Sequence, residues 1–120
     1  MEQMVMADEE MIIITRTFDL LVWLVPMTNH FPRAQRHTFT RRLLDSAFDF
    51  WEGLNAANHS REMTRADRLA DADEALTRLR GYLRLAERWQ WLTPGQYQHV
   101  ARMMAEIGRL LGGWLRATRS

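Results

Sequence analysis

The stretch LADADEALTRLRGYLRLA, residues 69–86, decides how this chain folds. Its apolar residues recur at alternating steps of three and four, at Leu69, Ala72, Leu76, Leu79, Leu83 and Ala86. This spacing places them on one stripe of an α-helix and leaves the charged residues on the other faces. A stripe of this kind is typical of the seam of an antiparallel helical bundle, and it predicts a helix over 62–89.

On either side of this stretch, helical spacing occurs three more times, and no alternating strand pattern persists. We predict helices over 8–29 and 40–58, and a last helix that opens at Thr93. Thr93 and Gln96 form a capping box, and Thr40 is expected to cap the second helix. Short connections make neighbouring helices antiparallel. The predicted fold class is therefore all-α, an antiparallel up-down-up-down four-helix bundle.

A length of 120 residues suits one domain. We place it at residues 11–118, behind an N-terminal tail of residues 1–10. Cysteine is absent, which excludes disulfides and fits a reducing compartment. The acidic start does not resemble a secretory signal, and the apolar run over 11–27 is interrupted by Arg16 and Asp19 before it reaches the roughly 20 residues of a membrane span. We expect a cytoplasmic protein that does not bind membranes.

The polar residues are not arranged for catalysis. A di-iron bundle needs glutamate followed by histidine three residues later on two helices, and none of the four histidines has this spacing. Asp45, Asp49 and Glu52 share one face of the second helix, but such a row is more often solvated or paired with arginine. The sequence has neither a nucleophile elbow nor a phosphate-binding glycine loop. It predicts a non-enzymatic protein with no metal and no cofactor.

Basic residues crowd the stretch HFPRAQRHTFTRR, residues 30–42, which holds four arginines, two histidines and no acid in a chain of net charge +1. Lysine is absent throughout. Codon bias would explain this, and so would a need for two-pronged binding of phosphate or carboxylate. Arginines at a helix N-terminus oppose the helix dipole, so the cluster works against local stability and indicates function.

In an up-down bundle the start of the second helix and the end of the third lie at the same end, so their arginines should form one basic surface. Two interpretations remain open. One is a phosphate-binding surface that is indifferent to base sequence, and the other is a solvated face with intersubunit salt bridges. The predicted members are Arg33, Arg36, His37, Arg41, Arg42, Arg80, Arg84 and Arg88.

The first helix is apolar nearly all round, which predicts burial on all sides and hence subunit contacts. We assign its core stripe to Met11, Ile14, Phe18, Leu21 and Val25. In the last helix, two glycines four residues apart offer a face that another helix could approach, although fraying near the C-terminus would also explain them. The predicted oligomer interface consists of Ile13, Leu20, Trp23, Leu24, Gly108 and Gly112.

Four stretches together resemble a known family. They are IIITRTFDLLVWLVP (12–26), FPRAQRHTFTRRLLDSAFDFWEGL (31–54), LTRLRGYLRLAERWQWLTPGQY (76–97) and EIGRLLGGWL (106–115). The sequence is similar to the accessory variability determinants of diversity-generating retroelements, part of a wider set of four-helix bundles related to proteins encoded in ribosomal RNA intervening sequences.

The resemblance implies a homopentameric barrel of bundles with a basic surface. Such proteins bind the reverse transcriptase of the element and nucleic acid, RNA or DNA, largely without sequence preference. They support mutagenic retrohoming, in which template RNA is copied into adenine-mutagenised cDNA that enters a target gene.

Two other classes of protein stay open. One is a scaffold whose arginines bind only acidic protein surfaces, including that of the polymerase. The other is a stand-alone bundle of the intervening-sequence type, outside any retroelement. Binding to bare RNA separates the first from an accessory variability determinant, and a neighbouring reverse transcriptase gene separates the second.

Overall fold

The stripe over 69–86 lies at the centre of the protein. In the computed structural model, which describes residues 2–119 and the side chains from Glu10 to Arg119, all six stripe residues are at most 2% exposed. They belong to one of four helices: α1 (Glu2–Met27), α2 (Phe39–Asn58), α3 (Glu62–Arg88) and α4 (Pro94–Arg119). Over residues 2–119 no strand is present.

The helices pack in a closed ring, α1 against α2, α2 against α3, α3 against α4 and α4 against α1. Chain neighbours are joined by short connections and run antiparallel, which confirms the predicted four-helix bundle. The bundle measures 48 × 25 × 19 Å. α1 begins at Glu2 rather than near residue 8, so the backbone of the predicted tail is helical. The side chains before Glu10 lie outside the described residues, and the division into tail and domain stays a prediction.

α2 and α3 form the most closely packed helix pair of the bundle, because small residues lie where they cross. A Cβ added to Gly53 would lie 3.3 Å from the Cβ of Ala72 and 3.6 Å from its Cα. Ala47 and Ala57 on α2 are also at most 1% exposed. The two helices therefore approach each other more closely than a leucine at these positions would permit.

The core face of α1 agrees with the predicted stripe only in part: Leu21 is buried in the core and Ile14 packs against it, but two other members of the stripe lie outside. Met11 and Phe18 are 57% and 53% exposed, whereas Ile13, Thr17 and Leu20 are at most 1% exposed. Because α1 is apolar nearly all round, steps of three and four occur on more than one of its faces and do not identify the buried one. Thr17 can enter the core because its hydroxyl donates to the carbonyl of Ile13 at 2.8 Å, which satisfies it inside the helix.

This arrangement corrects part of the predicted oligomer interface. Ile13, Leu20 and Leu24 are at most 1% exposed in a single chain, so they build the core of the bundle and are not available to another subunit. The apolar residues left on the outside of α1 are Met11, Ile12, Phe18 and Val22, which are 42–60% exposed.

Of the two predicted helix caps, the one at Thr93 is confirmed and the one at Thr40 is wrong. At the start of α4, the backbone N–H of Gln96 donates to the Thr93 hydroxyl at 3.1 Å, and the N–H of Thr93 donates to the Gln96 side chain at 2.9 Å. Thr40 does not cap α2, which already begins at Phe39. Thr40 is buried in the first turn, and its hydroxyl has no partner among the described residues.

The segment Glu10–His30 is long and apolar enough to cross a membrane, with a mean hydropathy of 1.5, and 33% of its apolar part is buried in the bundle. Core helices of soluble proteins and signal sequences share this length and composition. The absence of a membrane segment stays a prediction.

Candidate functional site

The end of the bundle where α2 begins and α3 ends carries the basic stretch over 30–42, and we call it the basic end. Five aromatic rings join these elements, and we call them the aromatic cluster: Phe31, Phe39, Tyr82, Trp89 and Trp91. Phe39 lies at its centre, with its ring centroid 5.7 Å from that of Tyr82 and 5.3 Å from those of Trp89 and Trp91. The cluster therefore brings the basic stretch and the end of α3 to one end of the molecule, as the sequence predicted.

Two 3₁₀ turns, Thr28–His30 and Arg33–Gln35, carry the chain from α1 to α2. The N–H of Phe31 donates to the carbonyl of Thr28 at 3.0 Å, and the N–H of Arg36 donates to that of Arg33 at 3.1 Å. Phe31 is 5% exposed and packs against Trp91, with the two ring centroids 5.9 Å apart. This contact anchors the segment between α1 and α2. The buried phenylalanine and local hydrogen bonds fix the backbone, while Arg33 and Arg36 lie on the surface.

α3 ends in a tight turn that presents two indoles. The N–H of Trp91 donates to the carbonyl of Ala86 at 2.8 Å, and that of Gln90 donates to the carbonyl of Glu87 at 2.9 Å. This is the Schellman pattern, whose left-handed position usually holds glycine. Here Gln90 occupies it with φ 64°. The turn sets the rings of Trp89 and Trp91 side by side, with centroids 4.8 Å apart.

The predicted arginines are all exposed, and so is His37. Arg41 lies 3.9 Å from Asp45 in a pair whose side chains are both more than 60% exposed, and such surface pairs contribute about 0–1 kcal/mol. None of the others forms an ion pair with a carboxylate of the described residues: Arg33, Arg36, Arg42, Arg80, Arg84 and Arg88. The basic end therefore holds positive charge that no carboxylate of the described residues neutralises.

Arg80 lies apart from the other residues of the predicted basic surface. It lies two turns of α3 before Arg88, about 12 Å along the axis, and reaches across to α4. Its guanidinium occupies the space that a Cβ on Gly108 would fill. With Arg84, Tyr97 and Met104 it lines a groove of about 290 Å³ between α3 and α4. Arg84 also borders a shallow depression with Arg88, so Arg84 links this groove to the basic end.

The remaining predicted interface residues have partners within the chain. Gly108 is covered by Arg80, and the guanidinium of Arg116 lies 3.4 Å from the position of a Cβ on Gly112. Arginine side chains of the same chain thus lie against the glycine face in a single chain, and the approach of a second helix to it stays a prediction. Trp23 is half-buried, and its ring centroid lies 5.2 Å from that of His99 on α4.

Sequence reasoning missed the aromatic cluster. A signal was present, because WQW at residues 89–91 lies between two predicted helices, and the basic stretch itself contains two phenylalanines, Phe31 and Phe39. Spacing along the chain does not reveal which of these rings meet. Among side chains 10–119, no group of three or more His, Cys, Asp or Glu residues could hold a metal ion.

The geometry defines an all-α four-helix bundle, and comparisons with known proteins agree with this fold class. A solved structure of a protein of unknown function from the S23 ribosomal protein family of Bacteroides thetaiotaomicron VPI-5482 is similar, with a TM-score of 0.81 and 16% identity. The alignment covers 90% of this chain and 98% of that one, and at this identity it shows the fold alone.

The bAvd-like family model matches residues 11–118. The chain belongs to the bAvd-like family, which confirms the resemblance read from the sequence. No curated protein matches the chain.

Proposed function

We propose that the protein is a non-enzymatic accessory protein of a diversity-generating retroelement. It binds the reverse transcriptase of the element and nucleic acid, template RNA or cDNA, through the basic end, and it supports mutagenic retrohoming. Membership of the bAvd-like family over residues 11–118 supports the retroelement role. The observation that carries nucleic-acid binding is the set of exposed arginines without a carboxylate partner in the described part of the chain.

Unpaired surface arginines attract an anion for a simple reason. A guanidinium that already has a carboxylate partner must give up that partner to bind phosphate, whereas Arg33, Arg36 and Arg42 have no such partner among side chains 10–119. Arginine binds phosphate oxygens in a two-pronged geometry. Contacts to phosphate carry no base information, so binding through these residues is indifferent to sequence and weakens with salt.

The same proposal includes a homo-oligomer, a pentamer by the family resemblance, in the cytoplasm. Its support is the apolar outer face of α1, formed by Met11, Ile12, Phe18 and Val22. Contiguous exposed apolar surface marks interaction sites. A ring of subunits would repeat the basic end several times, so that weak single contacts add through multivalency.

The test uses one variant in which glutamine replaces four arginines at once: Arg33, Arg36, Arg41 and Arg42. Binding of labelled RNA and of single-stranded DNA is measured across a salt series. We expect weaker binding and a flatter log–log salt slope, because each phosphate contact contributes about −0.9 for duplex DNA or −0.7 for a single strand. Circular dichroism checks that the exposed substitutions leave the fold intact.

A matched control removes four exposed arginines that lie away from the basic end, Arg61, Arg68, Arg109 and Arg119. It changes the net charge by the same amount and should retain most of the affinity. Equal losses in both variants would show that only net charge matters. Poor RNA binding by the unchanged protein, with polymerase binding lost in the first variant, would favour the scaffold that binds acidic protein surfaces.

A further inference from the structure

Trp89 is the exposed member of the aromatic cluster. Its side chain is 48% exposed, whereas Phe31 is 5% exposed and Phe39, Tyr82 and Trp91 are half-buried. The exposed indole offers a large flat apolar surface with a polar N–H, a combination that is enriched at binding interfaces. Phe31 and the half-buried rings already cover the core at this end, so the exposed part of Trp89 is surplus to core packing.

Neighbouring rings hold Trp89 in place. The ring of Trp91 lies 4.8 Å away at an interplanar angle of 41°, and Phe39 meets Trp89 edge-on at 5.3 Å and 75°. The backbone N–H of Trp89 donates to the carbonyl of Leu85 at 3.0 Å. A side chain fixed in this way loses little conformational entropy when a planar ligand packs on it.

The surroundings of Trp89 are cationic. It directly follows Arg88, which has no carboxylate partner among the described side chains, and Phe39 links it to the α2 turn that bears Arg41 and Arg42. Arg84, Leu85, Glu87 and Arg88 border a shallow depression one turn before the indole. Glu87 is the only acid in that lining, so the local balance favours an anionic partner.

We propose that Trp89 is a stacking platform for an unpaired nucleobase, and that the basic end therefore binds single-stranded nucleic acid in preference to duplex. The inference rests on the proposed nucleic-acid binding and adds which form of nucleic acid is bound. Channels for single strands combine a cationic track along the backbone with aromatic rings on which bases stack. Bases within a duplex are stacked on each other and do not offer a face to the indole, apart from those at its ends.

The experiment compares three probes with equal numbers of phosphates: labelled oligo(dT), a strand of the same length with abasic sites, and a blunt duplex. The unchanged protein should bind oligo(dT) more tightly than the abasic strand, because the two differ only in their bases. Trp89→Ala should weaken oligo(dT) binding about 5- to 150-fold, the ratio that corresponds to about 1–3 kcal/mol for one stacked base. Its affinity for the abasic strand and its salt slope should not change.

Trp89→Phe retains a ring and should recover much of the affinity for oligo(dT). Met63→Ala is a matched control, because Met63 is 76% exposed at the opposite end of α3. Equal affinity of the unchanged protein for oligo(dT) and the abasic strand would overturn the platform, and this comparison does not depend on any variant folding. Equal losses on all three probes in Trp89→Ala would also overturn it, since they would indicate a structural role.

The two proposals fail differently. If all three probes bind with a salt dependence that the arginine substitutions remove, and Trp89→Ala has no effect, the nucleic-acid function holds and the platform is wrong. If none of the probes binds the unchanged protein, the nucleic-acid function fails and the platform fails with it.

Discussion

At the scale of single residues, the turn after α3 contains a local conflict. Gln90 adopts φ 64° in a position where glycine is favoured. A side chain with a Cβ in the left-handed region costs about 1–2 kcal/mol because the Cβ approaches the following carbonyl. The fold retains this strain while the turn keeps Trp89 against Trp91, at a centroid distance of 4.8 Å.

We expect Gln90→Gly to raise the free energy of unfolding by about 1 kcal/mol, because glycine adopts the left-handed conformation without that contact. Urea denaturation measures the change. Gln90→Ala is the control, since it removes the amide but retains the Cβ, and it should give no comparable gain. Equal stabilisation by both changes would mean that the amide, and not the backbone conformation, is the source of the strain.

At the scale of elements, α3 and α4 were the helices best predicted from the sequence, because their residue pattern indicates the buried face of α3 and the first residue of α4. The α3 stripe is narrow and bounded by charges, so only one face can be buried. The capping box at Thr93 fixes the start of α4 through two hydrogen bonds of 2.9 and 3.1 Å that the residue types alone imply.

α1 and the glycine face of α4 were not predictable in the same way. An all-round apolar helix has no polar face to mark the outside, and the burial of Thr17 depends on a hydrogen bond within its own helix. The notch at Gly108 is filled by Arg80 from another helix. Nothing in the spacing of α4 specifies which long side chain arrives there. The same limit applies to the aromatic cluster, whose rings come from three parts of the chain.

The close approach of α2 and α3 makes a prediction at this scale. Ala72→Leu should lower the free energy of unfolding by about 1–3 kcal/mol, because extra methyl groups would meet the backbone of α2 at Gly53. Ala70→Leu adds the same atoms to an exposed position of α3 and should stay within about 0.5 kcal/mol of the unchanged protein. Thermal or urea unfolding compares the two, and similar losses would show that the crossing has room to spare.

At the scale of the whole molecule, two exposed surfaces differ in character: the basic end and the outer face of α1. The first suits an anionic partner and the second suits an apolar one. They involve different residues, so substitutions can separate assembly from nucleic-acid binding.

Val22 tests assembly, since it is 60% exposed on the outer face of α1. We expect the unchanged protein to sediment well above its 14.2 kDa chain mass. Val22→Asp should release a folded monomer, because assembly would now bury an unpaired charge. Thr77→Asp, an exposed change on α3, is the control and should leave the mass unchanged. A monomeric unchanged protein would contradict the homo-oligomer outright.

The pairing of Trp89 with Trp91 has an optical consequence. Two indoles whose centroids are 4.8 Å apart and whose planes meet at 41° share their electronic excitations. Chromophores coupled at an oblique angle give circular-dichroism bands of opposite sign instead of one band. Circular dichroism thus reports on the turn after α3 without any label. The paired bands should disappear when this end of the protein opens, even while the helical signal persists.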